Sequence, residues 1–289
     1  MRRRLILTIA TVAVLALMGA ACSKSSTTTS GSPSAAGSAA GTPSPSFTTL
    51  KPGILQVASC LEFAPFETVK NGTPVGFDVE LTEEIAKRLG VQVQWVKTDF
   101  DSSFTALAGD QFDMIAAAIT ATGEKGQERS QIIDFSHFYF NSRQSLAVNT
   151  SKTPDLTGAA QLKAGDVVGV QKGTTGKDWA EANLKPNGVQ IKTYTLVTDA
   201  FRDLEAGAIA GVINDAPSSD AIVKDLADVK VVQYIDTNEK YAFAISKDNQ
   251  KLRKAWDQTL DAVIKDGTWT KIFLKWFPGA TPPPEYAGG

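Results

Sequence analysis

The chain has 289 residues, 43% hydrophobic and 21% charged, with a formal net charge of −2. That length suits one large or two small domains with a real core, and the charge balance lacks the basic excess that nucleic-acid binding asks for. A single histidine excludes a His-rich metal centre.

Residues 1–21 open with MRRR and continue with LILTIATVAVLALM, an apolar run too short for a comfortable membrane span. Small residues then precede Cys22, and the whole reads as a secretory signal peptide. It resembles a bacterial lipoprotein signal, in which the cysteine is lipidated and becomes the first mature residue, although Gly19 stands where such signals most often have Leu. Removing 1–21 takes away three Arg and no acid, so the formal charge moves from −2 to −5. With Cys22 lipidated, Cys60 is the only thiol left and no internal disulfide can form. Residues 22–48 are dominated by Ser, Thr, Gly, Ala and Pro. They read as a disordered tether with a reach of roughly 25–30 Å.

Beyond residue 51, β-rich and helical patterns alternate. Residues 54–59 are a short strand. Residues 77–90 carry Leu81, Ile85 and Leu89 at helical spacing, with Asp78 as cap and Gly90 as stop. Strict alternation marks 91–96 as a strand. Residues 102–112 read as a helix behind Ser102, ended by Gly109, and 113–120 as a buried strand. Strands follow at 145–150 and 167–171, helices at 175–184 and 196–207. GVIND (211–215) is a strand, 218–227 a helix and 241–246 a strand. The last helical region, 249–277, breaks at Asp266-Gly267. Alternating units predict α/β layers with mainly parallel strands. Ligands on such sheets bind beyond the strand carboxyl ends.

Few residues suit an enzyme. Any Ser–His–Asp triad must use His137, which sits among aromatics in DFSHFYF and reads as structural. G-x-S-x-G, Walker A, H-E-x-x-H and GxGxxG are absent. A binding site is better served. Gly173-Thr174-Thr175-Gly176 opens a helix, whose free N–H groups suit a carboxylate; ordinary N-capping by Thr175 is the alternative. Arg129 follows the 113–120 strand and can grip a carboxylate bidentately, or make a surface salt bridge. Asp215 ends the GVIND strand, where it either caps the next helix or holds a cation. Phe63, Phe66 and Phe100 lie just after strands. An anion site, a cation site and an apolar wall together meet the needs of a zwitterionic amino acid.

Several stretches occur in an order that resembles a known family: CLEFAPFE (60–67), GFDVELTEEIAKRLG (76–90), FDSSFTALAGDQFDMI (100–115), IIDFSHFYF (132–140), VGVQKGTTG (168–176), VINDAPSSDA (212–221) and DGTWTKIFLKWF (266–277). The chain is identified as a member of the bacterial extracellular solute-binding proteins, family 3, the amino-acid receptors of ABC importers. The resemblance implies a type II periplasmic-binding-protein fold, two α/β lobes joined by two hinge strands. Lobe 1 would comprise 49–143 and 241–280, lobe 2 148–236, with crossings near 144–146 and 236–241 and a C-terminal tail at 281–289. It also implies roles. Arg129, Thr120 and the backbone N–H of Ala118 bind the ligand α-carboxylate, helped by Thr175 and Thr174 from the other lobe. Asp215 binds the α-ammonium, Phe63 and Phe100 sandwich the side chain, and Gln171 touches its end. The family's T-x-T-x-E-R is interrupted here by GEKGQ, which leaves Lys125 as a rival to Arg129. Cys60 stands where many members for cationic and polar ligands have Asp, with Glu62 nearby.

The resulting expectation is a monomeric, non-enzymatic receptor outside the cytoplasm, held to the outer membrane face by lipidated Cys22. It needs no cofactor or metal, and it delivers a polar amino acid to an ABC permease. The alternatives are a cyclohexadienyl-type dehydratase on the same fold, or a ligand sensor for a membrane receptor.

Overall fold

A computed structural model describes residues 46–288. The signal peptide, Cys22 and the tether up to residue 45 lie outside the described residues.

The elements follow the chain as β1 (Ile54–Ser59), a hairpin of β2 (Thr68–Lys70) and β3 (Thr73–Val75), α1 (Phe77–Arg88), β4 (Gln92–Lys97), α2 (Phe100–Ala108), β5 (Met114–Ile115), α3 (Gly123–Arg129) and β6 (Ile133–Asn149). Then come β7 (Val167–Gln171), α4 (Thr175–Asn183), β8 (Gln190–Tyr194), α5 (Val197–Glu205), β9 (Gly211–Asp215), α6 (Ala216–Ile222), β10 (Val229–Ser246), α7 (Gln250–Lys265) and α8 (Thr268–Trp276).

Eight strands form one sheet in the order β4-β1-β5-β10-β6-β9-β7-β8. Its two ends repeat one plan. In each, three parallel strands place the first in the middle, β4-β1-β5 at one end and β8-β7-β9 at the other. The parallel expectation holds for these ends only. The centre is antiparallel, because β6 and β10 run against each other and against their outer neighbours. These two strands are far longer than the expected 145–150 and 241–246. They span both ends of the sheet, and their register shifts between Ile235 and Glu239. The irregular residues there include Asn238, in the left-handed region at φ 49°.

Local chemistry explains several boundaries. Helix α2 begins at Phe100 behind Asp99, so Ser102 lies inside it rather than before it. Asp78 is not a cap either; it sits in the first turn of α1, fully buried, behind Gly76. Only Met114–Ile115 of the expected 113–120 strand pairs as β5. The chain then leaves the ladder, with Ala118 at φ 47°. The GEKGQER segment forms α3 and carries Arg129 at its last residue.

An aromatic cluster packs α1 and α8 against the central strands. Phe77 lies within 5.6–6.2 Å of the Tyr139, Phe140 and Trp269 rings. Burying one such side chain contributes roughly 1.5–3 kcal/mol. The described ends of the chain pack against this core. Phe47, inside the expected 22–48 tether, is 5% exposed and joins this core, while Asn249 Nδ2 donates to the Thr48 carbonyl. One aromatic with a surface to cover overrides a polar neighbourhood. In the tail, Tyr286 is buried against Trp269 at 5.3 Å between centroids.

Candidate functional site

The carboxyl ends of β1, β5, β7 and β9 converge on one cavity. Phe63, Ala118, Thr120 and Arg129 line one side, Gln171, Thr174, Thr175 and Asp215 the other, with Phe100 against Arg129. All nine residues expected at a ligand site are thus brought together.

Arg129 is buried and held at both ends of its fork. Nη1 donates to the Thr120 carbonyl at 2.7 Å and Nη2 to the Gly173 carbonyl at 2.9 Å. Its Cζ stands 4.7 Å from the Phe104 ring centre and 5.2 Å from that of Phe100. Burial lowers its pKa to about 10, opposed by the charges of Asp215 and Glu239, so it stays cationic at neutral pH. A guanidinium has five donors; these two bonds leave the others for an anion. Lys125 does not line this cavity. Its ammonium pairs with Glu128 at 2.6 Å and Asp178 at 2.9 Å, away from the cavity lining.

Asp215 faces Arg129 across the cavity. It precedes α6, yet its side chain makes no capping bond there. It accepts from Gln144 Nε2 at 2.5 Å and from the Tyr241 hydroxyl. Burial, then the neighbouring Glu239 charge, pushes its pKa up to about 7.

The structure changes other expected roles. The Ala118 N–H, expected to serve a ligand carboxylate, donates to Asp78 Oδ2 at 2.8 Å, because the left-handed backbone turns it inward. Tyr139 donates to the same oxygen at 2.7 Å. Burial nevertheless raises the Asp78 pKa to about 6. Thr174, not Thr175, caps α4, accepting from the Lys177 N–H at 3.2 Å. Thr175 therefore begins the helix, at the end where backbone N–H groups lack intrahelical partners. Its hydroxyl donates to Glu239 Oε2 at 2.9 Å, and the Thr120 hydroxyl donates to the same oxygen at 2.5 Å. Gln171 lines the cavity while its Nε2 donates to the Thr195 carbonyl at 3.0 Å. Phe63 stacks on Phe66 with centroids 6.0 Å apart. Glu62 turns out to Lys97, and Glu67 is the acid beside Cys60. His137 is exposed rather than packed, with Nδ1 2.9 Å from Asp261.

Four residues escaped the sequence reading: Glu67, Gln144, Glu239 and Tyr241. Glu239 is buried in the irregular part of β10. It also accepts from Gln144 Nε2 at 2.9 Å and from Thr237 Oγ1 at 2.6 Å. One carboxylate thus ties both halves of the sheet to both long strands. Lys172, after β7, also pairs with Asp101 of α2 at 2.9 Å. Gly173, at φ +78°, lies so close that a Cβ there would overlap the Asp101 side chain.

Converging strand ends, long crossing strands and a charged cavity between two matching halves define a type II periplasmic-binding-protein fold. The chain belongs to the bacterial extracellular solute-binding proteins, family 3, whose model matches residues 55–279. A probable histidine-binding protein of Campylobacter jejuni is 29% identical over 224 residues, covering 77% of this chain and 84% of that one. An ancestral arginine-binding protein solved with arginine is 35% identical with a TM-score of 0.71, covering 78% of this chain and 98% of that one. An ancestral amino acid-binding protein described as a precursor of cyclohexadienyl dehydratase is 32% identical with a TM-score of 0.71, covering 78% and 96%. Among the described residues no helix is long and apolar enough to cross a membrane.

Proposed function

We propose that this protein is a receptor outside the cytoplasm that closes on an amino acid and delivers it to an ABC importer. The observation that carries this reading is Arg129 and Asp215 facing one cavity from opposite halves of the sheet. The ligand carboxylate takes the remaining Arg129 donors and the N-terminus of α4 at Thr175. Thr174 shapes that turn, and the Thr120 and Thr175 hydroxyls flank it, oriented by Glu239. The ligand ammonium takes Asp215. Phe63 and Phe100 wall its side chain, Ala118 shapes the floor, and Gln171 meets the far end.

The mechanism is a population shift. Residues 49–143 with 241–280 form one lobe and 148–236 the other, hinged at 144–146 and 236–241. Each lobe carries half of the charged site, so ligand binds the closed state better and draws the equilibrium toward it. A micromolar dissociation constant corresponds to about −8 kcal/mol, and charge-assisted hydrogen bonds of about 1.5–3 kcal/mol each supply much of that. A lipid on Cys22 and the tether behind it would keep a monomeric receptor near its permease.

A dehydratase is the second reading, favoured by the precursor relative and by buried carboxyls whose pKa values rise toward neutrality. A thermal-shift screen against the amino acids and cyclohexadienyl acids, with turnover of the latter followed in parallel, separates the two. A ligand at a hundredfold excess over its dissociation constant stabilises by about 2.7 kcal/mol. Stabilisation by amino acids without turnover supports the receptor. Turnover of a carboxylate lacking an amine replaces it with the enzyme.

A further inference from the structure

Glu67 lies between the turn after β1 and the β2–β3 hairpin. Its backbone exchanges hydrogen bonds with Phe63, N–H to carbonyl at 3.0 Å and carbonyl to N–H at 2.7 Å. That pair fixes where its side chain points. The side chain is fully buried and lines the cavity. Cys60 Sγ approaches Oε1 at 3.6 Å. Oε2 is buried and meets no donor among the described residues.

A carboxylate in that position is costly unless a cation or donors complete it. Neither Arg129 nor Lys97 bonds to it. Arg129 is held by Thr120 and Gly173, and Lys97 serves Glu62 outside the cavity. Asp78, the buried acid beside it, has its own donors in Tyr139 and Ala118. Burial first, then the charge of Asp78, drives the Glu67 carboxyl well above its ordinary range. The cavity wall carries two buried carboxyl groups, Glu67 and Asp215, and one cation, Arg129. A zwitterion with a neutral side chain satisfies Arg129 and Asp215 and leaves Glu67 alone. A second positive charge on the ligand completes the set.

We propose that Glu67 receives a cation carried by the ligand's side chain, so that the cargo is a basic amino acid, arginine or lysine. This rests on the receptor reading above and adds a specificity-determining residue to it. Phe63, on the same turn, lies along the apolar stem of such a side chain. Cys60 donates its thiol to the other carboxyl oxygen and orients it.

The test is calorimetric titration of the purified protein with L-arginine, L-lysine, L-citrulline and L-glutamine at pH 7.5. Citrulline keeps the shape of arginine and lacks its charge. A charge-assisted bond at Glu67 makes arginine or lysine about 30–100-fold tighter than citrulline. Glu67→Gln cuts that preference to about fivefold or less, while citrulline binding stays within about threefold. Glu67→Asp keeps the charge and retains a basic preference. Citrulline or glutamine binding as tightly as the basic amino acids in the unaltered protein overturns the inference and leaves the receptor standing. A basic preference that survives intact in a folded Glu67→Gln protein also overturns it. Failure of all amino acids to bind overturns the receptor reading itself, and this inference with it. If Glu67→Gln does not fold, as judged by circular dichroism, the arginine-to-citrulline ratio of the unaltered protein decides.

Discussion

Replacing Asp215 with Asn removes one charge from the cavity and keeps its shape. Burial pushes the Asp215 carboxyl up to about 7 from an ordinary 3.8. The folded state therefore holds this proton more tightly than the unfolded chain. Its contribution to stability is largest below pH 4 and is lost as the pH rises through 7, a cost on the order of 4 kcal/mol by pH 8. A ligand ammonium facing Asp215 offsets part of that cost, so affinity tracks the ionised fraction. In titration calorimetry at pH 5, 6, 7 and 8, affinity should climb by about tenfold per pH unit below 7 and level off above it. Asp215→Asn should bind about 30–1000-fold more weakly at pH 8, a loss of roughly 2–4 kcal/mol, and should lose most of the slope. Slope that persists belongs to Glu67, the other raised carboxyl in the cavity. Affinity within about threefold of the unaltered protein at pH 8 would refute the pairing of Asp215 with an ammonium.

Glu239→Ala strands the Thr120, Thr175 and Gln144 donors and unties the two halves. Ligand release in stopped-flow should quicken by about tenfold or more, with a smaller change in association. Gly173→Ala puts a methyl at a left-handed position against Asp101, which should cost about tenfold in affinity and also lower the melting temperature measured without ligand. Phe47→Ala should cost about 3 kcal/mol and lower the melting temperature by about 6–12 °C. A chain shortened to begin at residue 49 should show the same loss.

Much of this protein was legible in one dimension. The helical spacing of Leu81, Ile85 and Leu89 and the Asp266-Gly267 break each depend on neighbours a few residues away, and local chemistry determined them. The site residues could be named for a similar reason: strand ends in an α/β sheet are where ligand groups collect, so Asp215 after GVIND and Thr175 after VVGVQ were marked by position. What each group does there was decided by partners far off in sequence. Glu239 meets Thr120 across 119 residues and Gln144 across 95. Those meetings depend on the antiparallel register of β6 and β10 and on the irregularity near Asn238, which no local pattern encodes. The Ala118 N–H was lost to Asp78 through the turn of backbone that ends β5. Nothing in the sequence set Glu67 apart; folding placed it on the cavity wall with one carboxyl oxygen unpartnered. Sequence alone pointed to nine of the residues that line the cavity; the tertiary structure added Glu67 to them and decided which of their polar atoms are already satisfied, because a hydrogen bond is a property of two positions in space.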